Sequence, residues 1–94
     1  MRTYTCEFRS TLFRVPGQGG WVFAPVPGKH APALSVGWGR TPVVATVDGT
    51  TWKTSVWREK SGRTLLAVPK KVRGDKDEGD VVRVRLEYDI MYAA

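Results

Sequence analysis

The sequence predicts an all-β fold class: a small β-barrel of about six strands with one or two short helical turns, in a single domain over residues 1–94. Three observations support this prediction. Short apolar segments alternate with polar residues at the period of half-buried strands, glycine and proline recur between the segments, and few stretches have the spacing of a helix. Ninety-four residues suffice for one hydrophobic core but not for a barrel and a second folded unit.

The first strand is predicted over residues 4–13, where one side of the alternation is polar and the other is apolar, with Tyr4, Cys6, Phe8 and Leu12. Because the lone cysteine, Cys6, belongs to the apolar side, we expect a buried small side chain rather than a reactive thiol. The turn residues of segment 16–20 end this strand, and residues 21–26 form the next extended run.

A β-hairpin is predicted at Asp48-Gly49, since this dipeptide suits the positive φ angles of a tight turn between the β-branched runs 41–47 and 51–56. Two further strands are predicted at 63–68 and 81–88, the last with these residues facing inward: Val82, Val84, Leu86 and Tyr88. Proline and glycine interrupt residues 29–39, which are predicted to form a loop with a possible short helix around 33–36.

Hydropathy and charge narrow the function classes. No run approaches the roughly 20 apolar residues that span a bilayer, and the first residues lack the apolar segment of a secretory signal. We therefore expect a cytoplasmic protein without a membrane partner. The formal net charge of +6 is concentrated in residues 53–76, and such an excess of cations attracts polyanions.

Two segments of the chain share a layout. Each begins with an extended run that ends in Val-Pro, continues with a connector of about eleven residues, and then has a glycine and a polar residue before a β-branched strand. In the first segment these positions are Val26-Pro27 and Gly39-Arg40, and in the second they are Val68-Pro69 and Gly79-Asp80. A duplicated half-barrel would leave such a repeat, although short matches also arise by chance. The second copy, residues 65–73 and 79–86, resembles the motif of AbrB- and MazE-like proteins, which are swapped-hairpin DNA binders.

A second resemblance covers nearly the whole chain and rests on the order of these features: Phe8, Trp21, Val26-Pro27, Gly39-Arg40, Asp48-Gly49, Ser55, Gly62, Val68-Pro69-Lys70-Lys71, Arg73, Gly79-Asp80 and Asp89. In this order the sequence is similar to an uncharacterised, mostly bacterial family of unknown function, sometimes joined to a YdeI or OmpD-associated bacteriocin-protection domain. The resemblance implies a double-split β-barrel and no settled activity. Residues 73–77 replace the fuller helix expected after Pro69.

Catalytic and metal-binding constellations are not predicted. His30, the single histidine, lies in a loop rich in proline and glycine and is predicted to be solvated. One histidine and one cysteine cannot supply a tetrahedral metal site, and the acids of residues 75–80 lack the spacing of a calcium loop, so we read them as a solvated turn. We expect no cofactor. An enzyme that uses a barrel pocket without a catalytic triad is the less favoured class of function.

Four tryptophans in so short a chain suggest a ligand-binding surface. Trp21 and Trp52 alternate with apolar residues and are predicted to lie in the core. Trp38 lies between glycines, and Trp57 lies on the opposite strand face from Trp52, so both are predicted to be partly exposed. With Arg40 they form the predicted ligand-binding set, for a flat or anionic small molecule or for a protein. Plain packing at an edge is the alternative.

The alternative function is AbrB-like nucleic-acid binding by a basic surface. The residues predicted to bind the nucleic acid are Arg58, Lys60, Arg63, Lys70, Lys71 and Arg73. The two halves of this set are expected to flank the same end of the barrel, and a solvated charged rim is the competing interpretation. The sequence thus favours a non-enzymatic binding module of unknown ligand. Because the barrel is completed within one chain, a monomer is preferred to a homodimer.

Overall fold

A computed structural model describes residues 2–17, 20–33, 37 and 39–93. In these ranges the chain forms one antiparallel sheet of seven strands: β1 (Thr3–Thr11), β2 (Phe13–Arg14), β3 (Val22–Val26), β4 (Arg40–Val47), β5 (Thr50–Arg58), β6 (Thr64–Ala67) and β7 (Val81–Asp89). The helical elements are short, namely α1 (Lys70–Arg73) and 3-10 turns at Gly28–His30 and Ile90–Tyr92. The predicted all-β class with short helical turns is confirmed.

The sheet curls into a half-barrel whose two ends are consecutive in the chain. The strand order is β1-β7-β4-β5-β6-β3-β2, so β1 and β2 lie at opposite ends of the order, yet only Leu12 separates them. Across the seam, the Ser10 hydroxyl of β1 donates to the Pro25 carbonyl oxygen of β3 at 2.7 Å. The break at the buried Leu12 divides the first predicted strand, which gives seven strands rather than six.

Small aliphatic side chains from alternate positions of the strands fill the interior. In β7 the buried side chains are those predicted, Val82, Val84, Leu86 and Tyr88, and their neighbours are more exposed. Cys6 stands opposite Leu86 in the β1–β7 pairing and is buried, as predicted. Burial raises the pKa of the Cys6 thiol, since the thiolate would lose its hydration.

The predicted hairpin joins β4 and β5. Asp48 has φ of 46° and Gly49 has φ of 91°, both in the left-handed region that a type I′ turn requires. The Asp48 carboxylate accepts hydrogen bonds from Lys76 Nζ at 2.7 Å and from the Arg83 backbone N–H at 2.9 Å. Both hydrogen bonds lower the pKa of Asp48, and the bond from Lys76 has the larger effect. The turn therefore also fixes the hairpin against β7.

Strand pairing relates the two Val-Pro segments by a local two-fold arrangement. β3 and β6, which precede the two prolines, pair with each other antiparallel, and so do β4 and β7, which follow the connectors. When Val26 is aligned with Val68, Ala24 corresponds to Leu66, and these two residues stand directly opposite each other. The weak sequence repeat thus has a counterpart in the sheet.

His30 is half-buried and packs against β1, so it is less exposed to solvent than predicted. The imidazole stacks on Phe8 with ring centroids 5.9 Å apart, and Nδ1 lies 3.0 Å from the Tyr4 hydroxyl oxygen. The Tyr88 hydroxyl donates to the His30 carbonyl oxygen at 2.9 Å, and burial raises the pKa of Tyr88 to about 12. The 3-10 turn folds the loop back over β1, a long-range contact that loop composition does not reveal. Of the predicted short helix, residues 34–36 lie outside the described residues.

The acidic segment before β7 is exposed, as predicted. Arg14 Nη2 lies 2.7 Å from both carboxylate oxygens of Asp77, which connects β2 to this segment and lowers the pKa of Asp77. No helix within the described ranges is long and apolar enough to cross a membrane.

Candidate aromatic binding face

The outer side of strands β5, β6, β3 and β2 carries apolar and aromatic side chains in adjacent rows. Strand pairing places Trp57 opposite Leu65. In the next row Phe23 stands between Ala67 on one side and Phe13 on the other. Side chains that share a side of neighbouring strands lie close enough to pack, so these rows form one surface.

Two residues outside the strands extend this surface. Trp21 precedes β3 and Val15 follows β2, and the Val15 backbone N–H donates to the Trp21 carbonyl oxygen at 2.9 Å. Both side chains are exposed. We call the combined surface the aromatic face; it consists of Phe13, Val15, Trp21, Phe23, Trp57, Leu65 and Ala67.

Trp21 is 59% exposed, so its predicted place in the core was wrong. The run 21–26 is apolar at every position, and alternation therefore does not show which side faces inward. The narrow interior receives the smaller set, which is Val22, Ala24 and Val26. Trp57 is 44% exposed, which confirms its prediction, whereas Trp52 is only partly buried and packs against the core rather than lying within it.

The aromatic side chains of the face pack on one another. The rings of Trp21 and Phe23 are stacked, with centroids 6.3 Å apart and an interplanar angle of 15°. Phe13 lies 5.8 Å from Phe23 at 34°. Leu65 is buried, although it does not belong to the cluster of core residues that fills the interior. The aromatic face is therefore a second, smaller apolar layer on the outside of the sheet.

Two open grooves run along this face, and Trp21, Trp57 and Ala67 border both. The first groove has a volume of about 440 Å³ and is otherwise lined by these residues: Val15, Phe23, Glu59 and Leu65. The second has a volume of about 450 Å³ and is otherwise lined by polar and charged residues: Arg40, Lys53, Thr54 and Ser55. Each groove thus combines indole surface with a charged or polar border.

Arginines stand at two borders of the face. Arg40 is opposite Trp57 in the β4–β5 pairing, with its guanidinium carbon 5.5 Å from the ring centroid. Arg63 lies 4.8 Å above the centroid of Phe13. The negative face of each ring attracts the cation. Arg63 Nε also donates to Glu59 at 2.8 Å and lowers the pKa of that carboxyl, so Glu59 is ionised and paired at neutral pH.

The structure brings together two residues of the predicted ligand-binding set, Arg40 and Trp57, and the third, Trp38, lies outside the described residues. Phe23 and Leu65 were not among the residues predicted from the sequence. The signal that could have found them is a strand with apolar residues on both sides, because such a strand must either lie between two packed layers or expose one of its sides.

The structure divides the predicted nucleic-acid-binding set between the two ends of β6, contrary to the expectation of a single end. Arg58, Lys60 and Arg63 precede this strand. Lys70, Lys71 and Arg73 follow it. An extended strand of four residues spans about 13 Å, and this separates the two groups.

Part of the basic set binds backbone carbonyl groups. Arg58 Nη2 donates to the Pro32 carbonyl oxygen at 2.6 Å, and Arg73 Nη1 donates to the Val68 carbonyl oxygen at 2.9 Å. These guanidinium groups hold the loop before β4 and the turn after β6. Lys71 is exposed. The set therefore mixes cations that stabilise loops with cations that face solvent.

Fold and surface together define a small all-β domain whose outer side presents aromatic rings with arginines at the border. The chain belongs to the family described as a domain of unknown function (DUF1905), whose model matches residues 8–86. That segment includes the whole aromatic face. No curated protein matches the chain. In the part of the chain that the structure describes, no group of three or more His, Cys, Asp or Glu residues could hold a metal ion.

Proposed function

We propose that this protein is a non-enzymatic binding module that holds a planar ring of its ligand on the aromatic face. The observation that carries the proposal is the exposure of two indoles, Trp21 and Trp57, which border the same two open grooves. Contiguous exposed apolar surface on a small soluble domain marks interaction sites, because leaving it in water is unfavourable.

The chemistry of the face favours a flat ligand with a negative charge. Trp21 and Phe23 already stack on each other, and a planar ring that enters a groove gains the same kind of contact with the free side of an indole. Arg40 and Lys53 border the second groove, where their charges would attract an anionic group of that ligand.

Binding on a surface is favoured over catalysis in an enclosed pocket. Both grooves lie on the outside of the sheet, while side chains of all the longer strands fill the barrel interior. In the first groove Glu59 is the one ionisable lining residue among those the structure describes, and it is paired with Arg63. An acid or base for catalysis would need an accessible proton or lone pair at such a position.

The probe for this proposal is the aromatic anion 8-anilinonaphthalene-1-sulfonate, whose fluorescence rises when it leaves water. We expect saturable binding that weakens at least about tenfold in Trp57→Ala and Trp21→Ala, because each variant removes a wall of both grooves. Trp52→Phe is the matched control, since Trp52 lies in the same strand as Trp57 but packs against the core. Its dye affinity should equal that of the original protein.

Equal dye affinity in the two alanine variants and the original protein would contradict the proposal. Circular dichroism of each variant confirms that the sheet is retained. Sedimentation during the titration is expected to show a monomer. A dimer that Trp57→Ala dissociates would instead mean that the aromatic face binds a second copy of this chain.

A further inference from the structure

We infer that the ligand of the aromatic face is a single-stranded nucleic acid, whose bases stack on the exposed rings while its phosphates contact the bordering cations. The inference rests on the proposed function and names the chemistry of its ligand.

Charge at the border of the face suits a polyanion. The chain carries a formal net charge of +6. Arg40 and Lys53 line the second groove, and Arg63 stands over Phe13 at the far side of the face. Glu59, the acid lining the first groove, is paired with Arg63, so these two residues together add no net charge to the face. Guanidinium groups bind phosphate through two parallel N–H donors, and Arg40 is placed to do so beside the ring of Trp57.

The extent of the face suits a chain of linked rings better than one small molecule. From Phe13 on β2 to Trp57 on β5 the face crosses three strand spacings of about 4.8 Å each. A small-molecule site would enclose most of its ligand. Here both grooves are open and both are bordered by the exposed indoles of Trp21 and Trp57, so successive bases could stack on these two rings.

Accessible bases are the condition for this contact. In a duplex the flat sides of the bases are stacked on their neighbours, and only their edges and the phosphates reach a protein. Single strands present the flat sides, and aromatic side chains on sheet surfaces stack on them with little sequence preference. We therefore expect the protein to prefer single strands to duplexes and to discriminate weakly among sequences.

The test is fluorescence anisotropy of labelled (dT)12, (U)12 and a 12-base-pair duplex over a series of salt concentrations. We expect saturable binding of a single strand, at least about tenfold tighter than binding of the duplex. Trp57→Ala and Trp21→Ala should each weaken single-strand binding at least about tenfold. Arg40→Gln should reduce the slope of log K against log salt by about 0.7 for one lost phosphate contact.

Two variants separate this surface from general charge effects. Arg83→Gln removes an exposed arginine from β7, which is not part of the aromatic face, and should change affinity less than Arg40→Gln does. Lys71→Gln tests the basic residues that follow β6. Loss of binding in Lys71→Gln with full binding in Trp57→Ala would overturn the inference, as would equal affinity for duplex and single strand.

The dye titration distinguishes failure of this inference from failure of the proposed function. If no oligonucleotide binds at low salt while the dye still binds at the face, the inference is wrong and the module takes another ligand, such as a protein segment with an aromatic side chain. If the dye binding is also insensitive to Trp21→Ala and Trp57→Ala, both proposals are wrong.

Discussion

Replacing Leu66 and its neighbour Leu65 separately by alanine compares the two sides of β6. Leu66 is fully buried in the interior, where Leu→Ala substitutions cost about 2.7–5 kcal/mol through lost transfer energy and the cavity left behind. Leu65 is also buried but lines the open first groove. Truncation there widens a groove that water can enter, so we expect the transfer contribution alone, about 2 kcal/mol.

These values convert to melting temperatures. The entropy of unfolding is about 2.1 cal/mol/K per residue, or about 0.2 kcal/mol/K for 94 residues. We therefore expect Leu66→Ala to lower Tm by about 14–25 °C and Leu65→Ala by about 10 °C. Urea unfolding followed by circular dichroism provides the free energies, provided that the m-value is the same in each variant.

The comparison also bears on function. If Leu65→Ala costs as much stability as Leu66→Ala, the outer side of β6 is a second core that the fold requires, and the aromatic face would not be a surface reserved for a ligand. A smaller cost at Leu65, together with altered dye affinity, is the result that our reasoning requires.

Three further predictions concern a titrating turn, a thiol and a glycine. Because Lys76 lowers the pKa of Asp48, the stability that the Asp48 carboxylate adds is present above its unfolded-state pKa and is lost as pH falls through the lowered value. Asp48→Asn should therefore lose under about 1 kcal/mol of unfolding free energy at pH 7 and progressively less at acid pH, and a pH-independent loss would contradict this. Cys6 should react with a disulfide reagent at least about 100-fold more slowly in the folded protein than in urea, and equal rates would show that it is accessible. Gly39 has φ of 72°, and a Cβ there would lie 2.9 Å from a backbone carbonyl oxygen. Gly39→Ala should therefore lower the free energy of unfolding by more than about 1 kcal/mol. Gly28 has open space around it, so Gly28→Ala should be nearly neutral in thermal unfolding.

Local signals were sufficient for much of the fold. The Asp48-Gly49 dipeptide placed the hairpin because few residue pairs adopt two successive positive φ angles. The alternation in β7 identified its buried residues because one side is apolar and the other is mostly charged. In both cases the physical constraint acts within a few residues of the chain, and the sequence alone was therefore informative.

The candidate site was only partly predictable. Trp57 was expected to be partly exposed and was grouped with Arg40 in the predicted ligand-binding set, and the hairpin pairing brings the two together. Trp21 was assigned to the core but is exposed, and the packing of His30 on β1 was not foreseen. The two halves of the basic set were expected at the same end of the barrel, but β6 holds them apart.

By itself the sequence determined that this is a small all-β domain with a tight hairpin, a buried cysteine and an excess of positive charge. Tertiary structure decided which side of the apolar run 21–26 faces water, since that depends on the curvature of the whole sheet and on the space left inside it. Periodicity separates a strand into two sides, but only its packing against distant strands decides which side becomes the core and which becomes the aromatic face.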